Sequence, residues 1–228
     1  MATSGTTAFT LDFAELAEES WERAGREMRS GYDLRTARRS MNLLTIEWQN
    51  RGINLWTIDE GSVALVAGTA AYAIPADTVD LLEQVIRTNS GNVSSQTDVN
   101  LTRISASVYA SIPNKLSTGR PVQCWVKRGV DNPEVTVWPV PIDDSYTLQY
   151  WRLRRLEDAG NGVETQDMNY RFLPAAAAGL AYYIAMKVPE LIERVPMLQA
   201  EYERQFTLAK EEDRDKVPSR FVPRIARV

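Results

Sequence analysis

The chain has 228 residues, 44% of them hydrophobic and six of them tryptophan, with a formal charge of −4. That content supports a packed core and excludes global disorder, and no run of eighteen apolar residues offers a membrane span. Histidine is absent and Cys124 is the sole cysteine, which removes Ser-His-Asp and Cys-His triads, His-ligated zinc and an intrachain disulfide.

The opening MATSGTTAFTLDF has neither a basic nor a long apolar stretch, so no secretory leader is expected. Phe13, Leu16, Ala17, Trp21, Ala24 and Met28 recur on one helical face, predicting a first helix over 11–28. Asp12 suits its N-cap, and Glu15 three residues on comes close to a capping box. A second helix is predicted from an Asp33 cap, with Leu34, Ala37, Met41, Leu44 and Trp48 spaced by three and four up to Gly52. Ser30-Gly31-Tyr32 is the short link, so the two should form an antiparallel hairpin.

Beyond Gly52 the apolar period shortens to two. Ile53–Ile58, Val63–Val66, Ala71–Ile74 and Leu81–Arg87 read as strands, with Gly61 and Gly68 between the early ones. The polar stretch 88–99 reads as an exposed loop or hairpin tip. Leu101–Ile104 resumes order, and Ser105 caps a brief helix through Ile112. Pro121–Lys127, Glu134–Pro139 and Tyr146–Arg155 read as an antiparallel set joined by turns at 129–133 and 139–145.

Residues 158–168 read as a loop. A helix is then predicted from Asn169 to Lys187, with Pro174 tolerated near its first turn, and Pro189 separates it from a long helix over 190–214. The small residues Ala175–Ala178 favour core packing, and one of Tyr182 and Tyr183 can face an interface. The expectation is an α+β chain in four parts: a helical hairpin (1–52), an inserted antiparallel β-rich part (53–157), C-terminal helices completing the bundle (158–215), and an extended basic arm (216–228).

Carboxylate runs at Glu18-Glu19, Asp143-Asp144 and Glu211-Glu212-Asp213 are the candidates for acid–base chemistry. Glycoside hydrolysis needs two carboxyls facing each other across a substrate, whereas adjacent residues on a helix or strand point apart. A solvated face explains the runs, and the Asp143 pair suits backbone hydrogen bonding in a turn. No phosphate-loop or dinucleotide glycine pattern occurs, so neither a cofactor nor a metal is expected.

Basic residues are more informative. Arg152 and Arg154 share one face of a strand, suited either to a partner or to ion pairs with Glu157 or neighbouring strands. Lys115 and Arg120 lie in the turn-rich stretch 111–121, which reads equally as an intersubunit loop or a plain connection. Residues 216–228 hold Lys216, Arg220, Arg224 and Arg227 and no acid; they contribute +4, so the remaining residues sum to −8. Pro218 and Pro223 disfavour helix there, yet Val217, Phe221, Val222, Ile225 and Val228 are apolar, which a merely solvating tail does not require. The arm reads as a segment that lies on another chain, through Lys216, Arg220, Phe221, Val222, Arg224, Ile225 and Arg227. An acidic body does not suit phosphate contact, but with a basic arm it is complementary between copies or to another acidic partner.

The succession SIPNKLSTGRP (111–121), VWPVP (137–141), YWRLRRLEDAGN (150–161), RFLPAAAAGLAYYIAMK (171–187) and AEYERQFTLAKEEDRD (200–215) resembles tailed-bacteriophage head-to-tail adaptors of the podovirus connector, or tail tubular A, type. The resemblance implies a non-enzymatic structural protein of the virion, assembled in the host cytoplasm and placed at the head–tail junction. It implies a homo-oligomeric ring of about twelve copies, bound between the portal protein and the tail nozzle or tube protein, through which DNA passes without sequence-specific binding. It carries no catalytic residues. The competing readings are a DNA-binding module using the arm with Arg152–Arg155, and a carboxylate-dependent cell-wall hydrolase.

Overall fold

The computed structural model describes residues 5–53, 55–129 and 133–213. The basic arm, 216–228, lies outside the described residues, as do positions 130–132 of the expected turn. In chain order the elements are α1 (Phe13–Ala24), α2 (Gly31–Asn50), β1 (Ile58–Ala64), β2 (Ala71–Ala73), β3 (Thr78–Thr88), β4 (Thr97–Asn100), β5 (Thr102–Arg103), α3 (Ala106–Ser111), β6 (Thr118–Gly119), β7 (Gln123–Lys127), β8 (Glu134–Trp138), β9 (Val140–Pro141), β10 (Tyr146–Arg154), α4 (Leu173–Ala185) and α5 (Val195–Glu212). They form an α+β fold in two compact units, one of Met1–Leu55 with Glu157–Val228 and the other of Trp56–Leu156.

In the first unit, α1 begins as its sequence requires. The Asp12 carboxylate accepts the Glu15 N–H at 2.8 Å, and the Glu15 carboxylate accepts the Asp12 N–H at 3.1 Å. The helix stops before Met28 because Gly25 adopts φ +99° and turns its N–H back onto the carbonyls of Trp21 and Glu22. The cap of α2 is Ser30 rather than Asp33, and the expected link Ser30-Gly31-Tyr32 is the cap and first turn of the helix. Asp33 stands three residues inside, where its carboxylate accepts the Ser30 N–H at 3.1 Å. Burial works against its charge, but the N–H groups of Arg29 and Ser30 and the Ser30 hydroxyl hold it below the usual carboxylate range.

α4 is the centre of this unit and packs against α1, α2 and α5. Its small residues Ala175–Ala178 and Gly179 are buried together with Leu180, Ala181 and Ile184. α5 runs antiparallel to it: Arg171, just before α4, pairs with Glu212 at 3.2 Å, while Tyr182 stacks on Tyr202 with ring centroids 6.2 Å apart. α1 runs parallel to α4, since Asp12 bridges Thr165 ahead of α4 and Arg194 beyond it donates to the Ala24 carbonyl at 3.1 Å. α2 runs the other way, with Trp48 against Phe172 and Ser40 against Lys187. The two N-terminal helices are therefore antiparallel, as their short connection predicts.

The second unit contains two four-stranded sheets, ordered β1-β10-β3-β4 and β2-β8-β7-β5, and a two-stranded pair β6-β9. The first sheet is antiparallel throughout, whereas β5–β7 and β6–β9 pair in parallel. The three segments expected as one antiparallel set are divided: β7 and β8 pair with each other, but β10 joins the other sheet between β1 and β3. The chain leaving β8 does not turn back beside it, because Val140–Pro141 bonds to Thr118–Gly119. Leu81, Ile86, Cys124, Val137, Leu148 and Tyr150 come from both sheets into one buried cluster. The polar stretch expected as a hairpin tip is shorter than predicted, since β4 takes up 97–100 opposite β3.

Candidate assembly surfaces

The residues singled out in the sequence fall into different settings. Lys115 donates to the carbonyls of Ala110 and Ile112, both at 3.0 Å, and its ammonium lies 5.7 Å from the Tyr109 ring centre. It thus closes the C-terminal end of α3, where unpaired carbonyls favour a cation. Arg120 is exposed in the connection to β7. Arg152 and Arg154 both reach Asp59 on the neighbouring strand β1 at 3.3 Å, and Arg152 also bonds Asp77 at 2.6 Å. Their side chains are only 13% and 19% exposed. The hydrogen bond from Arg152 holds the Asp77 carboxyl below its usual range, against the opposing effect of burial.

The carboxylate runs serve local structure. Glu19 pairs with Arg23 at 2.6 Å along α1, and Glu212 with Arg171. Asp143 accepts the Ser145 N–H at 2.9 Å, and Asp144 accepts the Ala67 N–H at 2.6 Å, which ties the turn before β10 to the loop after β1. The Ser145 hydroxyl and N–H keep the Asp143 carboxyl low. Among the described residues no group of three or more Cys, Asp or Glu is placed to hold a metal ion. Tyr182 and Tyr183 are both half-buried; Tyr183 donates to Glu47 at 2.6 Å, and Tyr182 stacks on Tyr202.

Two surface grooves of the first unit were not singled out from the sequence. One, of about 940 Å³, runs along α1 and the start of α4. Phe9, Leu11, Tyr170 and Leu173 give it apolar walls, and Glu15, Glu18, Glu19 and Glu22 line its α1 side. Phe9 is 74% exposed and Tyr170 66%, a large apolar area to leave in water. The second groove, of about 790 Å³, lies at the other end of α4. Arg26, Arg29, Arg39 and Lys187 outnumber Asp33 and Glu190 along it, beside exposed Tyr32 and buried Trp21. Lys187 donates to the Ser40 hydroxyl at 2.7 Å, and partial burial together with the Arg39 charge lowers its affinity for a proton.

The first groove meets α4 at Leu173–Ala177 and the second lies beyond its end at Lys187, while along α1 they adjoin, Glu22 and Arg23 lining the first and Trp21 and Arg26 the second. One is acidic and the other basic, and each has exposed aromatic surface. Leu43 and Ile46 extend the exposed apolar surface along α2. The sequence signal for the first groove was the spacing Glu15, Glu18, Glu19, Glu22, which places four acids on the face of α1 opposite Phe13, Leu16 and Ala17. Read singly, such acids are only a solvated face. Phe9 and Tyr170 come beside them because Asp12 and the first residues of α1, Phe13 and Ala14, bond to residues 162–165, just ahead of α4.

These features describe a protein whose exposed chemistry is suited to contact with other chains. No helix among the described residues is long and apolar enough to cross a membrane. No match was found among curated proteins. The family model for the SU10 adaptor protein, however, matches residues 8–224, nearly the whole chain. The chain therefore belongs to the SU10 adaptor protein family, in keeping with its resemblance to phage head-to-tail adaptors and with a structural role in the virion.

Proposed function

We propose that this protein is the subunit of a homo-oligomeric ring of about twelve copies that joins the portal protein of a phage head to the tail nozzle or tube protein and continues the DNA channel. The observation that carries this reading is the family match over residues 8–224. The first unit supports it with an acidic and a basic groove at opposite ends of α4. A ring built head to tail needs two different surfaces on each copy that fit one another. An acidic groove met by a basic segment of the next copy satisfies that requirement and favours one orientation over its reverse.

In this reading the arm docks on the portal or a neighbouring subunit through Lys216, Arg220, Phe221, Val222, Arg224, Ile225 and Arg227. Its ordering cost is offset by apolar burial and charge pairing. Arg120 and the loop held by Lys115 supply contacts between subunits, while Arg152 and Arg154, paired with Asp59 and Asp77, brace the sheet of β1, β10 and β3. The net acidity of the body lets DNA pass without being gripped. The protein acts without catalysis and assembles in the host cytoplasm.

Native mass measurement and negative-stain imaging of the purified chain, with and without a portal protein, test the proposal. The expected result is a closed ring, alone or on the portal. A strict monomer indifferent to any portal protein overturns it.

A further inference from the structure

We infer that the acidic groove on α1 is the seat of the basic arm of a neighbouring copy. The inference rests on the ring reading above and names the surface that reading leaves open. The groove combines exposed Phe9 and Tyr170 with a row of acids; the arm combines Phe221, Val222 and Ile225 with Arg220, Arg224 and Arg227. Each therefore has what the other lacks, apolar area to cover and charge of opposite sign.

The acids are not equivalent. Glu15 accepts the Asp12 N–H and Glu19 pairs with Arg23. Glu18 and Glu22 are exposed, and no ion pair forms at either among the described residues. They stand one helical turn apart, a spacing at which like charges repel. A guanidinium lying between them relieves that repulsion. From Glu15 to Glu22 the row spans about 10 Å of helix, which three or four extended residues cover. Phe221 to Arg224 is a segment of that length with apolar and cationic side chains in immediate succession.

The heading of α5 favours the arm of another copy. α5 runs antiparallel to α4 and brings Glu212 to Arg171, at the start of α4. The groove begins at that same end, at Tyr170, and continues up α1 in the direction opposite to α5. To occupy the groove of its own copy, the chain after Glu212 would have to reverse the direction of α5. Residues 214–228 reach up to about 50 Å when extended.

Mixed-copy cross-linking of full-length chains tests this. One chain carries Phe221→Cys and the other Glu22→Cys; native Cys124 is fully buried, so the introduced thiols are the reactive ones. Mild oxidation of the mixture under assembly conditions is expected to give a covalent heterodimer. A chain carrying both substitutions that closes on itself at high dilution, with no covalent dimer at any concentration, overturns the inference in favour of its own arm. Transfer of the Phe221→Cys cross-link wholly to an added portal protein overturns it in favour of the portal.

Charge reversal gives the second measurement. Glu18→Lys with Glu22→Lys is expected to weaken assembly about tenfold or more, as is Arg220→Glu with Arg224→Glu, and the four changes together restore it. Restoration also shows that the reversed helix still folds. If wild-type rings form and the Glu18→Lys, Glu22→Lys chain assembles equally well, the groove assignment fails while the ring reading stands. If wild-type chains form no ring alone or on a portal, the ring reading itself fails.

Discussion

The indole N–H of Trp48 donates to the hydroxyl of Tyr202 at 2.9 Å, joining α2 to α5 across 154 residues of sequence. The same hydroxyl approaches Glu47 at 3.3 Å, and Glu47 also accepts from Tyr183 and pairs with Arg51. Arg51 continues the network to Glu203 with two hydrogen bonds of 2.7 and 2.8 Å and lies over the Phe206 ring at 4.6 Å. Burial and the Glu47 charge raise the ionisation of Tyr202 far above its ordinary value, so the hydroxyl keeps its proton. A neutral phenol that both accepts and donates is what this position requires.

Tyr202→Phe therefore leaves the fully buried Trp48 N–H without an acceptor, and we expect a loss of about 1–3 kcal/mol. Tyr182→Phe serves as a control and should stay within about 0.5 kcal/mol of the parent. Urea unfolding followed by tryptophan fluorescence separates the two; equal stability of Tyr202→Phe and the parent would refute the assigned role.

Gly179→Ala should lower stability, although alanine is the better helix former by about 1 kcal/mol. A Cβ at 179 would sit 2.8 Å from the Tyr202 ring and 2.9 Å from a Leu44 methyl. Overpacking of a close-packed site costs about 1–3 kcal/mol, so the net expectation is a loss of about 1 kcal/mol and a lower Tm by calorimetry. A higher Tm would show that Tyr202 and Leu44 move aside freely.

Arg152→Gln is expected to change how stability responds to acid. The Asp77 carboxyl is held low in the folded protein by its hydrogen bond from Arg152. A depressed folded value means the contribution is fully present above the unfolded value, about 3.9, and is lost as pH falls through the folded one. The difference in urea midpoint between parent and variant should therefore be constant near neutrality and shrink below about pH 4. A difference that grows on acidification would exclude the pairing.

Cys124 should resist thiol reagents while the protein is folded. It is completely buried, and burial pushes its thiol up to about 12. At pH 8 a disulfide-exchange reagent should modify no thiol in the native chain and one in urea. Rapid modification without denaturant would mean that the core between the two sheets opens readily.

Much of the secondary structure was legible from local signals. The Asp12 box and the short α3 after Ser105 depend on neighbouring residues alone, and the structure places them where the sequence does, whereas α4 and α5 begin four and five residues later than expected, each after a 3-10 turn. The Ser30 cap was misassigned because Asp33 is also a good cap residue. Which of two candidates caps is decided by where Asp33 turns its carboxylate. The arm lies outside the described residues, so its contacts stay a proposal. Arg152 and Arg154 had two readings on a strand face, and the opposing strand supplied Asp59.

By itself the sequence determined the α+β character, the four long helices and the absence of histidine chemistry, because composition and apolar period act through residues a few positions apart. The resemblance, covering roughly residues 33–215 and strongest from 101 onward, likewise needed only the order of its strings, and the family match spans 8–224. Tertiary structure alone decided that β10 leaves β7 and β8 for the other sheet, since strand pairing depends on where connecting segments find hydrogen bonds. It also decided that Phe9, Tyr170 and the acids of α1 share one groove. Those residues are separated by some 150 positions, and no local period relates them. Only the packing of α1 alongside α4 brings them together.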